Sequence, residues 1–249
     1  MKILCIIPAR YESSRFPGKP LAKIGGKPMI QMTYERCVAT GLFDKVVVAT
    51  DNDLIVNAIN SFKGNVVMTS KDHPSGTDRC FEAFKKLGND YDAILNVQGD
   101  EPFISTESIA AVVKMLKSDA SVATLVVHAS SINQVMDPNK VKVVLNSDDE
   151  AMYFSRSPVP FIRDVESDNW LSENKFYIHL GIYGFNANVI PEIIKMPKSR
   201  LESLEKLEQL KWLENGVRIK CGLVEDAPLG VDTPEDLKNA EQFFLKQKL

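Results

Sequence analysis

The feature that most limits the fold is a repeated switch of hydrophobic period over the first 120 residues. Lys2 to Ile7 is a continuous apolar run, the pattern of a strand covered on both faces. Ile30, Tyr34, Cys37 and Val38 then fall at helical spacing, with Gly41 placed to end the helix. Lys45 to Thr50 is a second β-branched run, and Ile55, Ala58, Ile59 and Phe62 return to helical spacing, with Asp51 available as a cap. Val66 to Met68, a stripe at Cys80, Ala83, Phe84 and Leu87, the run Ala93 to Val97 and a stripe at Ile109, Val112, Val113 and Leu116 continue the series. Alternating β and α elements predict an α/β fold built on a mainly parallel, doubly wound sheet with right-handed crossovers.

The first βα connection is long, and its glycines fit neither the dinucleotide G-x-G-x-x-G nor the G-x-x-x-x-G-K-[ST] phosphate loop. This is therefore a nucleotide-type sheet without either common fingerprint. After about residue 120 the rhythm changes. Val122 to Val127, Val141 to Leu145 and Tyr177 to Phe185 read as strands without regular helices between them, and Pro158 to Lys175 as a long charged connection. Leu201, Leu204, Leu207, Leu210 and Leu213 stripe one charged helix opened by a Ser199/Glu202 capping box. Ile219 to Val224 is a late strand, and Thr233-Pro234-Glu235-Asp236 opens a terminal helix. With no linker or repeat, residues 1–249 read as one domain with a β-rich lobe over about 120–200.

A formal net charge of −3 gives no global attraction to a nucleic acid polymer or an acidic membrane. Any anion site must be local. No apolar run approaches spanning length, and Pro8 interrupts the N-terminus too early for a signal sequence. Cys5, Cys37, Cys80 and Cys221 are scattered and read as reduced thiols of a cytoplasmic protein. His73, His128 and His179 have no zinc spacing.

Three stretches offer chemistry. Arg10, Arg15 and Lys19 lie just past the first strand, where ligands bind in open α/β sheets. They form either a polyphosphate cradle or a solvated cationic turn. Gly99-Asp100-Glu101-Pro102 follows a buried strand, so Asp100 either holds Mg²⁺ or caps a helix. Asp232 precedes the terminal helix, and on pattern alone the cap is the better reading there, with a second metal carboxylate as its rival. The polar turn Lys71 to Arg79 is able to read a base, or is an ordinary turn. His179 and Tyr183 share one strand face, and Glu208 and Gln209 interrupt the leucine stripe.

Together these segments resemble the 3-deoxy-manno-octulosonate (Kdo) cytidylyltransferases, the CMP-Kdo synthetases. The likeness is carried in order by Ile7 to Tyr11, Ser14 to Leu21, Ala49 to Asp51, His73 to Arg79, Asn96 to Pro102, Tyr153 to Arg156, His179 to Gly184, Leu207 to Leu210 and Gly230 to Leu237. Residues from about Phe161 to Lys175 depart from the family pattern. The resemblance implies a nucleotide-diphospho-sugar transferase-like fold and the reaction of CTP with Kdo to CMP-Kdo and pyrophosphate, for lipopolysaccharide synthesis. It implies nucleotide contacts from Ala9, Arg10, Arg15, Lys19, Ser75, Gly76 and Arg79, with Lys19, Asp100 and Asp232 catalytic and Mg²⁺ held by the two aspartates. It implies a sugar pocket of Gln98, Arg156, His179, Tyr183, Glu208 and Gln209. A homodimer is expected. Another sugar acid such as sialic acid, or a non-catalytic nucleotide-binding protein, are the alternatives.

Overall fold

The computed structural model describes residues 1–12, 16–88, 90–118 and 120–246. The chain forms two compact units, Met1–Val113 with the segment from Pro228 onward, and Lys114–Ala227.

In the first unit the predicted alternation is present. Its strands are β1 (Ile3–Ala9), β2 (Lys45–Thr50), β3 (Val66–Met68) and β4 (Ala93–Asn96). Its helices are α1 (Met29–Ala39), α2 (Asp53–Ser61), α3 (Gly76–Leu87) and α4, which starts at Thr106. These four strands pair in parallel, in the order β4-β1-β2-β3, and a separate two-residue pair, Lys23–Ile24 with Lys27–Pro28, is antiparallel. β1 is buried along its whole length, as its unbroken apolar run requires. The chain winds outward from β1 through β2 to β3, then returns to place β4 on the other side of β1. The winding direction thus reverses between β1 and β4, and the carboxyl ends of those strands are the expected ligand crevice.

Two local expectations are corrected. The cap of α2 is Asn52, whose side chain accepts from Leu54 N, while Asp51 instead pairs with Arg79 at 2.8 Å. Both residues have capping chemistry, and only a partner 28 residues away decides between them. The C-terminal helix (Pro234–Lys246) is opened by Thr233, while the side chain of Asp232 pairs with Lys19 and its backbone N donates to Asp236 Oδ2 at 3.0 Å. Thr233 Oγ1 accepts from Asp236 N at 3.2 Å, and Asp236 Oδ2 accepts from Thr233 N at 2.9 Å. This reciprocal pair satisfies the helix's open donors. Val231 and Ala240 bury this segment against Ile24, Met29, Met32 and Phe103.

The second unit is β-rich. Its strands are β5 (Val122–His128), β6 (Lys142–Leu145), β7 (Ala151–Ser155), β8 (Tyr177–Asn186) and β9 (Ile219–Val224). β8 runs antiparallel to β5 and β6, β6 pairs antiparallel with β7, and β9 is parallel to β5. The register of β8 against β5 shifts between Leu180 and Tyr183. The connection from Pro158 to Lys175 contains a helical turn, Trp170–Glu173. Buried Trp170 stacks on Phe176 and donates its indole N–H to Val165 O at 2.9 Å, which ties the charged loop down. The single leucine helix expected over 201–213 is two helices, α5 (Arg200–Glu205) and α6 (Gln209–Glu214). Lys206, at φ 55°, breaks them. The predicted Ser199/Glu202 capping box is present. All four cysteines are buried free thiols, and no described helix is long and apolar enough to cross a membrane.

Candidate active site

A cavity opens at the reversal between β1 and β4. Pro8, Ala9 and Arg10 line it from the end of β1, and Gln98, Gly99 and Asp100 from the end of β4. Gly99 lets the two ends meet. A Cβ there would stand 3.0 Å from Pro8 O and 3.2 Å from Ile30 Cδ1, closer than side-chain carbons pack, so only glycine fits without displacement. Asp100 O then accepts Val231 N at 3.0 Å, which fastens the segment before the C-terminal helix to this strand end and carries Asp232 to the cavity.

The centre of the site is a cation between two carboxylates. Lys19 Nζ donates to Asp100 Oδ2 at 2.5 Å and to Asp232 Oδ1 at 3.0 Å. Burial pulls the Lys19 pKa down, but the charge and hydrogen bonds of Asp100, and then of Asp232, outweigh it and leave the pKa above its usual value. Beside them, Glu101 has a buried Oε2 with no hydrogen-bond partner among the described residues. Burial, then the charges of Asp100 and Asp232, push its carboxyl up to about 8. The donor set is a pair of hard oxygens that already gathers positive charge. Such a pair would suit Mg²⁺, which takes one or two carboxylates and fills its shell with substrate phosphates and water.

The start of α3 lines the same cavity. Ser75 caps the helix, accepting from Asp78 N at 3.1 Å and donating to Asp78 Oδ2 at 2.8 Å. Gly76 follows it, and a Cβ there would come within 3.3 Å of Pro8 Cγ. An uncovered helix start of this kind suits a polar or anionic ligand group. Arg79 is buried, and its guanidinium donates to Thr69 Oγ1 at 2.5 Å and to Asp51 Oδ2 at 2.8 Å. It therefore holds β2, β3 and α3 together at the cavity wall.

Of the residues singled out from sequence, Ala9, Arg10, Lys19, Ser75, Gly76, Arg79, Gln98, Asp100 and Asp232 all line this one cavity. Arg15 lies outside the described residues. The others belong to the second unit. There the His179 and Tyr183 rings are 5.2 Å apart, and Tyr183 meets Trp212 edge-on at 5.1 Å. Thr124 Oγ1 donates to Ile182 O at 2.7 Å and lies 3.0 Å from His179 Nε2. With its hydrogen committed, the hydroxyl accepts from Nε2–H. Burial drives the His179 pKa down to about 3, so the ring is neutral at physiological pH. Burial, followed by the charge of Glu208, raises Tyr183 well above the usual phenol range. Gln209 is buried at the start of α6. Arg156 donates to the carbonyls of Glu205 at 2.7 Å and Pro138 at 2.9 Å, and more distantly to that of Lys206 at 3.5 Å. Glu205 also accepts Arg156 N at 3.0 Å. Fully buried Lys142 donates to Arg156 O at 2.6 Å, which fixes the backbone on which this guanidinium sits.

Glu101 and Lys142 were not singled out from sequence. Glu101 stands beside Asp100 and was legible as its neighbour. Lys142 matters only through partners brought by the fold.

Comparison with known proteins adds a separate line of evidence. A cytidylyltransferase family model matches residues 4–219. A 3-deoxy-manno-octulosonate cytidylyltransferase of Parabacteroides distasonis is 51% identical, with 98% of each chain covered. An 8-amino-3,8-dideoxy-manno-octulosonate cytidylyltransferase of Shewanella frigidimarina is 45% identical over 97% of this chain and 98% of its own. Among solved structures, a CMP:2-keto-3-deoxy-manno-octonic acid synthetase complexed with CTP superposes with a TM-score of 0.92, at 38% identity over 100% of both chains.

Proposed function

The chain belongs to the cytidylyltransferase family, and on that footing we propose that it transfers the cytidylyl group of CTP to the anomeric hydroxyl of Kdo, giving CMP-Kdo and pyrophosphate. The observation that carries this reading is the cationic and carboxylate pair of features at one strand reversal, Lys19 between Asp100 and Asp232. A transfer at the α-phosphorus needs little covalent help from the protein. It needs the hydroxyl held in line and the charge on the departing pyrophosphate offset.

Arg10 and Lys19 are the cavity's cations for the triphosphate, with Arg15 assigned beside them by family likeness. Ser75, Gly76 and Arg79 form the nucleoside side. Asp100 and Asp232 would hold Mg²⁺. When bound, that ion supplies positive charge against phosphate oxygens and lowers the pKa of a coordinated hydroxyl. Lys19 takes up whatever carboxylate charge is unmet, and its raised pKa keeps it an ammonium through the neutral range. No protein nucleophile is involved, because the sugar brings its own.

Gln98, Arg156, His179, Tyr183, Glu208 and Gln209 are assigned to the sugar acid. Neutral His179, with Nε2–H given to Thr124 and Nδ1 an acceptor, and un-ionised Tyr183, able to donate and accept, suit polyol hydroxyls without charge. Arg156 keeps two of its five N–H donors free of the backbone carbonyls named above, and a carboxylate is their natural acceptor. The protein is assigned to the cytoplasm, to lipopolysaccharide synthesis and to a homodimer, the last to be checked by light scattering across a dilution series.

The deciding experiment is pyrophosphate release from CTP with three acceptors: Kdo, its 8-amino-8-deoxy analogue and sialic acid. Turnover is expected with Kdo at the highest kcat/KM. Preference for either other acid would overturn the sugar assignment, and no turnover with any would overturn the enzymatic one.

A further inference from the structure

Arg156 stands one residue beyond the end of β7, where the strand ladder no longer serves its backbone. Side chains take over that task. Lys142, opposite Ser155 in β6, donates from Nζ to Arg156 O at 2.6 Å and to Asp137 O at 2.9 Å. Glu205 serves the other side. Its Oε2 accepts Arg156 N at 3.0 Å, and its Oε1 accepts from Ser155 Oγ at 2.8 Å. Its backbone carbonyl takes Arg156 Nε–H at 2.7 Å.

Glu205 is an unfavourable residue for its place in the chain. It ends α5, where the carbonyl end of a helix disfavours an acid, and no basic residue of that helix's last turn offsets it. The cation that meets those carbonyls is Arg156, from 49 residues away. Lys206 follows at φ 55°, a left-handed backbone that strains a residue with a side chain. Two locally unfavourable choices in succession persist only where the surroundings hold them, and such places concentrate at functional sites. This one joins the end of β7 to the break that leads into Glu208 and Gln209 at the start of α6.

On the reading that assigns Arg156, Glu208 and Gln209 to the sugar acid, we propose that Glu205 is a positioning residue for its recognition. Its carboxylate clamps the end of β7 to the joint between α5 and α6. Arg156 is thereby held in fixed relation to the start of α6, with its remaining donors left for a carboxylate. Lys142 anchors the same residue from the sheet side.

The test is a double-mutant cycle of Glu205→Ala and Arg156→Ala. It is read in kcat, in KM for Kdo with CTP saturating, and in the CTP dissociation constant by calorimetry. Every substitution at 205 keeps the backbone carbonyl, so Glu205→Ala removes the contacts of the carboxylate alone. KM for Kdo should rise roughly 10- to 100-fold, the weight of a hydrogen bond to a charged group. The turnover number and CTP affinity should stay near wild type, the signature of lost uniform binding. Glu205→Gln still offers an acceptor to Arg156 N and should recover most of the loss. Glu205→Asp withdraws the carboxylate by one methylene and should raise the same KM selectively, which keeps the test decisive if the alanine variant fails to fold. In the double variant KM should be no higher than in Arg156→Ala, because the clamp acts through Arg156. Additive losses, equal weakening towards CTP and Kdo, an unaltered KM in both Glu205→Ala and Glu205→Asp, or no recovery in Glu205→Gln overturns the proposal. Wild-type turnover of Kdo that Arg156→Ala leaves unchanged overturns the sugar role of Arg156, and the proposal with it. Wild-type protein with no turnover overturns the cytidylyl reading itself, a result the variants would not mimic.

Discussion

Lys19 Nζ and Asp100 Oδ2 stand 2.5 Å apart although 81 residues separate them in sequence. β1 and β4 are neighbours, so the turn after the first and the end of the second open on the same crevice. A parallel sheet whose winding reverses there places groups from distant parts of the chain side by side.

That pair, with Asp232, sets the first prediction. Millimolar MgCl₂ with CTP should raise the melting temperature of the wild-type protein, because a ligand that binds only the native state stabilises it by mass action. In Asp100→Asn the magnesium-dependent part of the rise should vanish, and turnover should fall by at least about 10²-fold, the usual cost of losing one transition-state electrostatic contact. Scanning fluorimetry and a pyrophosphate assay read the two effects separately. A full magnesium response in the variant would remove Asp100 from the metal.

The close approach at Gly99 sets the second. Gly99→Ala forces a methyl against Pro8 O and Ile30, and overpacking of this kind costs about 1–3 kcal/mol. Urea unfolding measures it. Equal stability would mean that the two strand ends separate freely.

The third concerns pH. The folded pKa of His179 is depressed to about 3. Below its ordinary value near 6.5 the unfolded chain takes up the proton first, so stability is present above that pH and is lost as pH falls towards 3. The slope is at most about 1.4 kcal/mol per pH unit. His179→Gln keeps a donor towards Thr124 and cannot titrate. Its loss of stability between pH 7 and 5 should be smaller than the wild type's by about 2 kcal/mol, read by denaturant unfolding at both pH values. Parallel losses would show that His179 protonates without penalty.

The fourth separates the helix cap from the carboxylate next to it. Thr233→Val removes the cap oxygen and should cost about 1 kcal/mol. Asp232→Asn leaves that cap intact and weakens a half-exposed pair, so its unfolding free energy should stay within about 1 kcal/mol of wild type while turnover falls. Guanidinium titrations of both variants, with the assay alongside, check this. The reverse order of stabilities would return the cap to Asp232.

The parallel half of the fold was legible because fully covered strands leave unbroken apolar runs and their helices leave stripes. Most of the candidate site was legible too, since ligand groups in such a sheet collect just past strand ends. What escaped reading depended on distant partners. Asp51 reads as a cap until Arg79 claims it, and Asp232 reads as a cap because Thr233 beside it has the same chemistry. The break at Lys206 has no glycine or proline to announce it, only a lysine held in a left-handed backbone conformation. Tyr153 to Arg156 carried part of the family likeness, yet the strand Ala151–Ser155 that it overlaps emerges only from its pairing with β6.

The reciprocal bonds between Thr233 and Asp236 cap the helix without the side chain of Asp232. Scaffold and reagent are carried by adjacent residues. A substitution at 232 is thus a way to stall the protein without unravelling it, and the stalled form is the natural vehicle for capturing nucleotide and sugar acid together in one crystal.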